Sequence, residues 1–318
     1  MSKQSLEQKL RLLRICDHIF ETGKYTSSTV NEAELLVSFG FEQSGSAVVL
    51  PAGIEYLDQE LIEQSLRDVG TMSKLPRIQL KNCVESTNQE LLKATFDDGM
   101  SDQVVLAEVQ VAGRGRFGRD WYSPVGRNLA ISLGAKLSRA PDDLGAISLV
   151  VGVAVANAIH ELGIDVVALK WPNDILLDNR KVGGILVDVV HATTPIDVVV
   201  GIGLNIGGRS STEEIIDRPV ADLLDYCVLP IRNKLAVSII RNVYDSIYKF
   251  ETNGFRSFHE KWDVLDALRD HAVTVSTSKE LIRGIACGVR QTGELCIELK
   301  DGKIHYVNAG EVSLDYTK

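Results

Sequence analysis

The sequence predicts an α+β protein built around a mixed sheet, with a small helical domain ahead of it and a small β domain behind. Three observations carry this. Between residues 76 and 268, strand-like apolar runs alternate with helical runs, and several strands adjoin through short polar turns instead of crossover helices. The last fifty residues hold only short β-rich runs separated by tight turns. The first 70 read as helix, helix, hairpin, helix.

At the start, Leu6, Leu10, Leu13, Ile15, Ile19 and Phe20 form the apolar stripe of a helix that ends near Gly23. A second helix is expected over 31–38, a hairpin over 40–57, and a helix over 58–69 with Asp58 as its N-cap. This order resembles a winged helix with one helix missing, because 26–40 has room for one helix only. Six Lys/Arg face eleven Asp/Glu within 1–70, a balance that opposes phosphate contacts. The expectation is a degenerate winged-helix-like domain kept for packing or protein contact. Its first helix, with Lys9, Arg11 and Arg14, is the one face that would serve DNA.

Residues 70–76 are a polar linker. Beyond them, strands are expected over 103–109, 128–137, 166–171, 181–190 and 196–201, and helices over 88–96, 144–162, 232–253 and 254–268. The apolar run 144–159 spans about 16 residues against the roughly 20 a bilayer requires, and reads as a buried helix on a sheet. After 269, four β-rich runs turn at 278–280, 291–293 and 301–302, as in a small SH3-like barrel. The expected domains are therefore 1–70, 76–268 and 269–318.

Composition narrows the class. A chain of 318 residues with 45% apolar and 24% charged residues has the length and balance of a soluble multi-domain protein. Its net charge of −9 argues against a surface built to hold nucleic acid. Five dispersed cysteines with no CxxC fit a reducing cytoplasm and no structural zinc site. The N-terminus lacks the apolar core of a signal peptide, so no membrane role is expected.

Five short motifs carry the chemistry. Residues 113–124, GRGRFGRDWYSP, satisfy GxGxxG literally, but a proline and turn formers follow where a dinucleotide fold needs a helix. Arg114, Arg116, Arg119 and Arg127 against Asp120 alone suit a loop that closes over phosphates or a carboxylate; a solvated basic loop also fits. KWPND at 170–174 ends a strand in a turn bearing Asn173 and Asp174, and a plain Asx turn would explain it too. In RKVGGILVDVV, Lys181 can meet an anion, and Gly183 and Gly184 suit close backbone approach, or a bulge beside a strand-end lysine. GIGLN at 201–205 is either a nucleotide contact or a turn where a strand emerges. ESTN at 85–88 puts hydroxyl and amide groups at a helix start, where capping alone would account for them.

The order of these motifs is more specific than any one. STNQELL, QVAGRGRFGRDWYSP, KWPNDILL, KVGGILVD and GIGLNI together resemble the biotin–protein ligase (BirA-type) family over about 76–316, including Trp262 and Asp266 of a W-x-x-x-D helix. The pattern GRGRxGRxWxSP is matched at every defined position, with Phe117 at the variable one. The resemblance implies a class II aminoacyl-tRNA synthetase-like catalytic domain that joins biotin to ATP and passes the biotinyl group to a lysine of a biotin carboxyl carrier protein or domain. By that resemblance Ser86, Thr87, Asn88 and Gln110 hold the ureido end of biotin, while Gly113, Arg114, Gly115, Arg116, Gly183 and Gly184 cover its chain and carboxylate. Lys181 serves catalysis with Arg114 and Arg116. Arg119, Trp121, Asn173, Asp174 and Asn205 join Arg116 and Lys181 at the nucleotide, with Asp174 and Asn205 toward Mg2+. Family members often pair as homodimers. Many stack an aromatic on adenine, yet 207–225 has none before Tyr226. The alternatives are a bifunctional ligase and biotin-dependent repressor, which the acidic N-terminus opposes, and a lipoate–protein ligase, which GRGRxGRxW with KWPND opposes.

Overall fold

A computed structural model describes residues 3–70, 72, 74–94, 102–138, 141–191, 194–208 and 219–314. The linker expectation therefore falls partly on 71 and 73, the end of the 88–96 helix on 95 and 96, and much of 207–225 on 209–218; these lie outside the described residues.

The chain opens with α1 (Lys3–Thr22), β1 (Lys24–Thr26), α2 (Val30–Ser38), β2 (Glu42–Ser44) and β3 (Ala47–Val49). Thr29 caps α2 by accepting from the Glu32 amide. A single helix stands between β1 and the β2–β3 hairpin, as the spacing predicts. The strand β1, unforeseen in the sequence, pairs with β3 in a sheet ordered β1-β3-β2. Next comes α3 (Gln59–Val69), whose N-cap Asp58 accepts from the Leu61 amide.

The centre is a seven-stranded sheet. Its strands are β4 (Arg77–Val84), β5 (Gln103–Gln110), β6 (Asn128–Leu137), β7 (Val167–Lys170), β8 (Asp174–Leu177), β9 (Arg180–His191) and β10 (Ile196–Asn205). The spatial order is β4-β5-β6-β10-β9-β8-β7. Only β4 and β5 run parallel, so the sheet is mixed as expected. One expectation fails here. GIGLN is not a turn where a strand emerges: β10 continues through it to Asn205, hydrogen-bonded to β6 and β9 on its two sides. Glycine is tolerated inside this strand because the missing side chains make room for neighbours.

Helices cover both faces. On one, α5 (Ile147–His160) is buried almost all round, packed between the sheet and α6 (Arg232–Asn253), with α7 (Arg256–Leu265) beside them. Val104, Leu106, Val198, Val200 and Ile202 face that layer. On the other face α4 (Thr87–Ala94) sets Leu91 against Val105 and Val199, the alternate residues of the same strands.

The chain ends in an antiparallel sheet of β11 (Ala272–Ser276), β12 (Leu281–Val289), β13 (Leu295–Glu298), β14 (Ile304–Val307) and β15 (Glu311–Leu314), ordered β14-β13-β12-β11-β15. The fourth β-rich run of the sequence is thus two strands, broken at 308–310. No described helix is long and apolar enough to cross a membrane.

Candidate active site

Alternation along β10 puts Gly201 and Gly203 on the α4 side of the sheet, and pairing sets Gly184 of β9 opposite Gly203. These glycines are the floor of a cavity of about 300 Å³. A Cβ on Gly201 would stand 2.1 Å from Asn88 Oδ1, and one on Gly203 2.6 Å from the Trp121 indole. Each glycine is the space its neighbour occupies. The Asn88 and Trp121 stations are two residues, roughly 6–7 Å, apart along the strand.

The Asn88 end is a neutral, hydrogen-bonding pocket. Ser86, Thr87, Asn88 and Gln110 line it and are all buried. The backbone N–H and hydroxyl of Thr87 donate to Gln110 Oε1 at 2.9 and 3.2 Å, and Gln110 Nε2 donates to Ser123 Oγ at 3.3 Å. Asn88 Nδ2 donates to Asp188 Oδ2 at 2.8 Å, while its Oδ1 accepts from Ser132 Oγ at 2.5 Å. Asp188 and Ser132 were not anticipated. Asp188 reads in sequence as one polar residue among valines, with nothing to mark its partner 100 positions away.

The Trp121 end is cationic. Lys181 pairs with Asp174, and its ammonium lies 5.8 Å from the centre of the Trp121 ring. Arg116 donates to Asn173 Oδ1 at 3.3 Å. Burial pulls the Arg116 guanidinium below its ordinary pKa, and Asp174 and Glu311 offset part of that. Arg119 forms an ion pair with Glu311 of β15, so the C-terminal sheet holds the arginine loop directly. Gly310, Glu311 and Val312 close that side of the cavity. Arg114 takes another partner: with the Gln89 amide turned so that its oxygen faces the guanidinium, the two lie 2.9 and 3.0 Å apart. At the tip, Phe117 is exposed with φ 57°, beneath the Arg116 guanidinium.

The cavity thus gathers Ser86, Thr87, Asn88, Gln110, Arg114, Gly115, Arg116, Arg119, Trp121, Asn173, Asp174, Lys181 and Gly184. Gly113, Gly183 and Asn205 lie outside its lining. A Cβ on Gly113 would sit 2.5 Å from the Trp121 carbonyl, and one on Gly183 2.4 Å from Leu204, so both are needed for packing. Asn205 is buried and donates to the Ala221 carbonyl, whose own amide donates to the Lys181 carbonyl. Tyr226 is engaged at the β8–β9 turn, donating to Asp178 at 2.5 Å. Trp171, unassigned in the sequence, anchors the KWPND turn by donating from Nε1 to the Gly293 carbonyl at 2.9 Å.

Comparison with known proteins follows the same lines. Residues 80–205 match the model of the biotin/lipoate A/B protein ligase family, and 271–315 that of the biotin protein ligase C-terminal domain. The bifunctional ligase/repressor BirA of Salmonella typhimurium is 35% identical over 275 residues, covering 86% of this chain and 83% of its own. The biotin–[acetyl-CoA-carboxylase] ligase of Mycobacterium tuberculosis is 31% identical over 268 residues, covering 79% and 95%. Among solved structures, the biotin protein ligase of Aquifex aeolicus in complex with biotin and ATP superposes with a TM-score of 0.65 at 27% identity, covering 76% of this chain and 99% of that one.

Proposed function

The chain belongs to the biotin protein ligase family, and from that premise we propose that it activates biotin with ATP to biotinyl-5′-AMP and transfers the biotinyl group to a lysine of a biotin carboxyl carrier protein or domain. The observation that carries this reading is one glycine-floored cavity with a neutral polar pocket at one end and Lys181, Arg116 and Arg119 at the other. A neutral ureido group suits the first end. A carboxylate beside a triphosphate needs the second.

In the first step the biotin carboxylate attacks the α-phosphorus and pyrophosphate leaves. Two anions must approach, and Lys181 with Arg116 lowers that repulsion and stabilises the charge that builds on the phosphoryl oxygens. Lys181 exchanges its Asp174 partner for substrate oxygens in doing so. In the second step a carrier lysine amine attacks the acyl carbon, and AMP leaves as the anhydride bond breaks. The same cations stabilise the departing phosphate. The mixed anhydride is water-sensitive, so closure of 113–124 over it has a chemical purpose.

Asp174, paired here with Lys181, is the carboxylate that would hold a magnesium ion, which would neutralise phosphate charge. Among the described residues no group of three or more His, Cys, Asp or Glu could hold a metal. Asn205 is placed to support Lys181 through Ala221.

The N-terminal segment reads as a degenerate winged-helix-like domain, and the C-terminal sheet as an SH3-like barrel that braces the arginine loop. A repressor role is the second reading, since relatives bear that name. Against it, Arg11 of the basic face is paired with Glu32 at 2.5 Å. A salt-titrated gel shift with the promoter of its own operon, with biotin and ATP present, should give no discrete complex. For the main reading, labelled biotin and ATP should yield pyrophosphate and a labelled carrier domain. Release with lipoate and none with biotin would overturn it.

A further inference from the structure

Four of the five cysteines meet in pairs that their spacing along the chain does not suggest. Cys16 of α1 and Cys83 of β4 lie together inside a closed apolar cluster. The other pair is on the C-terminal sheet. Pairing of β12 with β13 sets Ala286 against Ile297 and Val289 against Leu295, with a shift of register between them. Cys287 therefore falls on the irregular stretch facing Cys296, and the two thiols are near enough for each to bear on the other's ionisation. Ala286, Leu295 and Ile297 point into the core. Their strand neighbours Cys287 and Cys296 lie on the opposite, partly exposed face.

We propose that Cys287 and Cys296 are a redox modification site, closing into a disulfide across β12 and β13 when a hydroperoxide reaches them. The thiolate of Cys287 attacks a peroxide oxygen. The O–O bond breaks, the sulfur becomes a sulfenic acid, and the rest of the peroxide leaves as water or an alcohol. Cys296 then attacks that sulfur. The S–S bond forms, the S–O bond breaks, and water departs with the Cys296 proton. One electron pair from the two sulfurs has reduced one peroxide, and exchange with a dithiol reverses the change.

Geometry favours this pair. Cys287 and Cys296 are neighbours across the β12–β13 pairing where its register shifts, and closing a disulfide there asks for Cβ atoms about 3.5–4.5 Å apart. Burial, with Glu298 nearby, holds the Cys287 thiol up, and burial and Cys287 push Cys296 up to about 11. Both are mostly protonated near neutral pH, so the oxidation runs through the small thiolate fraction of Cys287 and should speed as pH rises. Cys296 is the more strongly held, so Cys287 reacts first.

The pair also has a path to the active site. The β12–β13 turn carries the Gly293 carbonyl that accepts from Trp171, and Gly293 packs on Gly145 too closely for any side chain. Drawing the two strands together behind that turn shifts the hold on Trp171, two and three residues from Asn173 and Asp174. Oxidation should therefore lower activity.

The test uses the full-length protein with hydrogen peroxide, then alkylation, intact mass and peptide mapping. We expect a Cys287–Cys296 disulfide peptide, with Cys16, Cys83 and Cys227 still alkylated. Biotin-dependent pyrophosphate release should fall several-fold and return with a dithiol. Cys287→Ser and Cys296→Ser should each keep basal activity and lose the reversible inhibition. Persistent alkylation of both residues, or a sulfinic acid in place of the disulfide, would overturn the site. A disulfide with unchanged activity would overturn the path through Trp171. The thiol mapping stands apart from the ligase reading, because it requires no biotin chemistry.

Discussion

Asn88 governs the neutral end of the cavity, and three residues fix its amide. Asp188 accepts from it at 2.8 Å, Ser132 lies against its oxygen, and Gly201 leaves the space it fills. A hydrogen bond to a charged group contributes about 1.5–3 kcal/mol, so Asp188→Ala should raise the KM for biotin roughly 10- to 100-fold. Its kcat should change little, because Asp188 supports binding and stands away from the cations. Steady-state kinetics at saturating ATP decide this; an unchanged KM would refute the positioning role. Gly201→Ala asks for a Cβ 2.1 Å from Asn88 Oδ1, which a sheet paired on both sides cannot yield. It should weaken biotin binding at least tenfold, measurable by calorimetry without ATP. At this scale the sequence exposed the groups that line the cavity and hid those that hold them. Ser86 to Asn88 and Lys181 stand in recognisable strings, whereas Asp188, Ser132 and Glu311 acquire meaning only once folding brings distant segments together.

Elements differ in legibility for physical reasons. The limits of α6 and β6 follow from long runs of consistent period, and α3 was marked by its Asp58 cap. The edge strand β4 escaped notice because RIQLKNCV is half polar, and β10 was cut short because its glycines imitate a turn. The W-x-x-x-D helix proves to be a junction. Asp266 bridges in parallel to Leu169, and its side chain accepts from the Leu268 amide at 2.9 Å. Burial raises the Asp266 carboxyl to about 6, against the opposing pull of Leu268 and Arg269. Its folded value lies above the unfolded one near 3.8, so its contribution is full below about pH 4 and is lost as pH rises through 6. Asp266→Asn keeps an acceptor for Leu268 and never ionises. It should gain roughly 1–3 kcal/mol over wild type between pH 4 and pH 7, read from urea unfolding at both. A difference independent of pH would exclude titration of Asp266. The arginine loop makes a second junction through Arg119 and Glu311. Glu311→Gln should speed proteolysis within 113–124 in the ligand-free protein while leaving the biotinyl-AMP complex protected. Equal cleavage rates in wild type and variant would remove the latch.

For the whole molecule, the decisive contact is buried and ionic. Arg232, at 0% exposure, pairs with Glu108 at 2.8 Å and donates to the carbonyls of Asn128 and Glu55. Glu108 in turn accepts from the Leu57 amide, and Glu55 receives the backbone N–H groups of Ile231, Arg232 and Asn233 at 2.6–3.1 Å. That carboxylate satisfies the otherwise unpaired start of α6 and complements its dipole. One polar knot therefore ties the N-terminal segment to β5, β6 and α6. Alongside it, Val125 donates to the Phe39 carbonyl, and Gly126 leaves room for Ile54, so the end of the arginine loop rests on the N-terminal segment. Removing one member of a buried pair strands the other charge at a cost of about 3–5 kcal/mol. Arg232→Leu should lose that much in chemical denaturation, and Glu108→Leu added to it should recover part by removing the stranded carboxylate. Because Asn128 accepts from Arg232 and also contacts Ser123 at 2.8 Å, the single variant should raise the KM for biotin as well. The double variant, still lacking the guanidinium, should keep that defect after stability returns. Recovery of both together would mean that the knot serves stability alone.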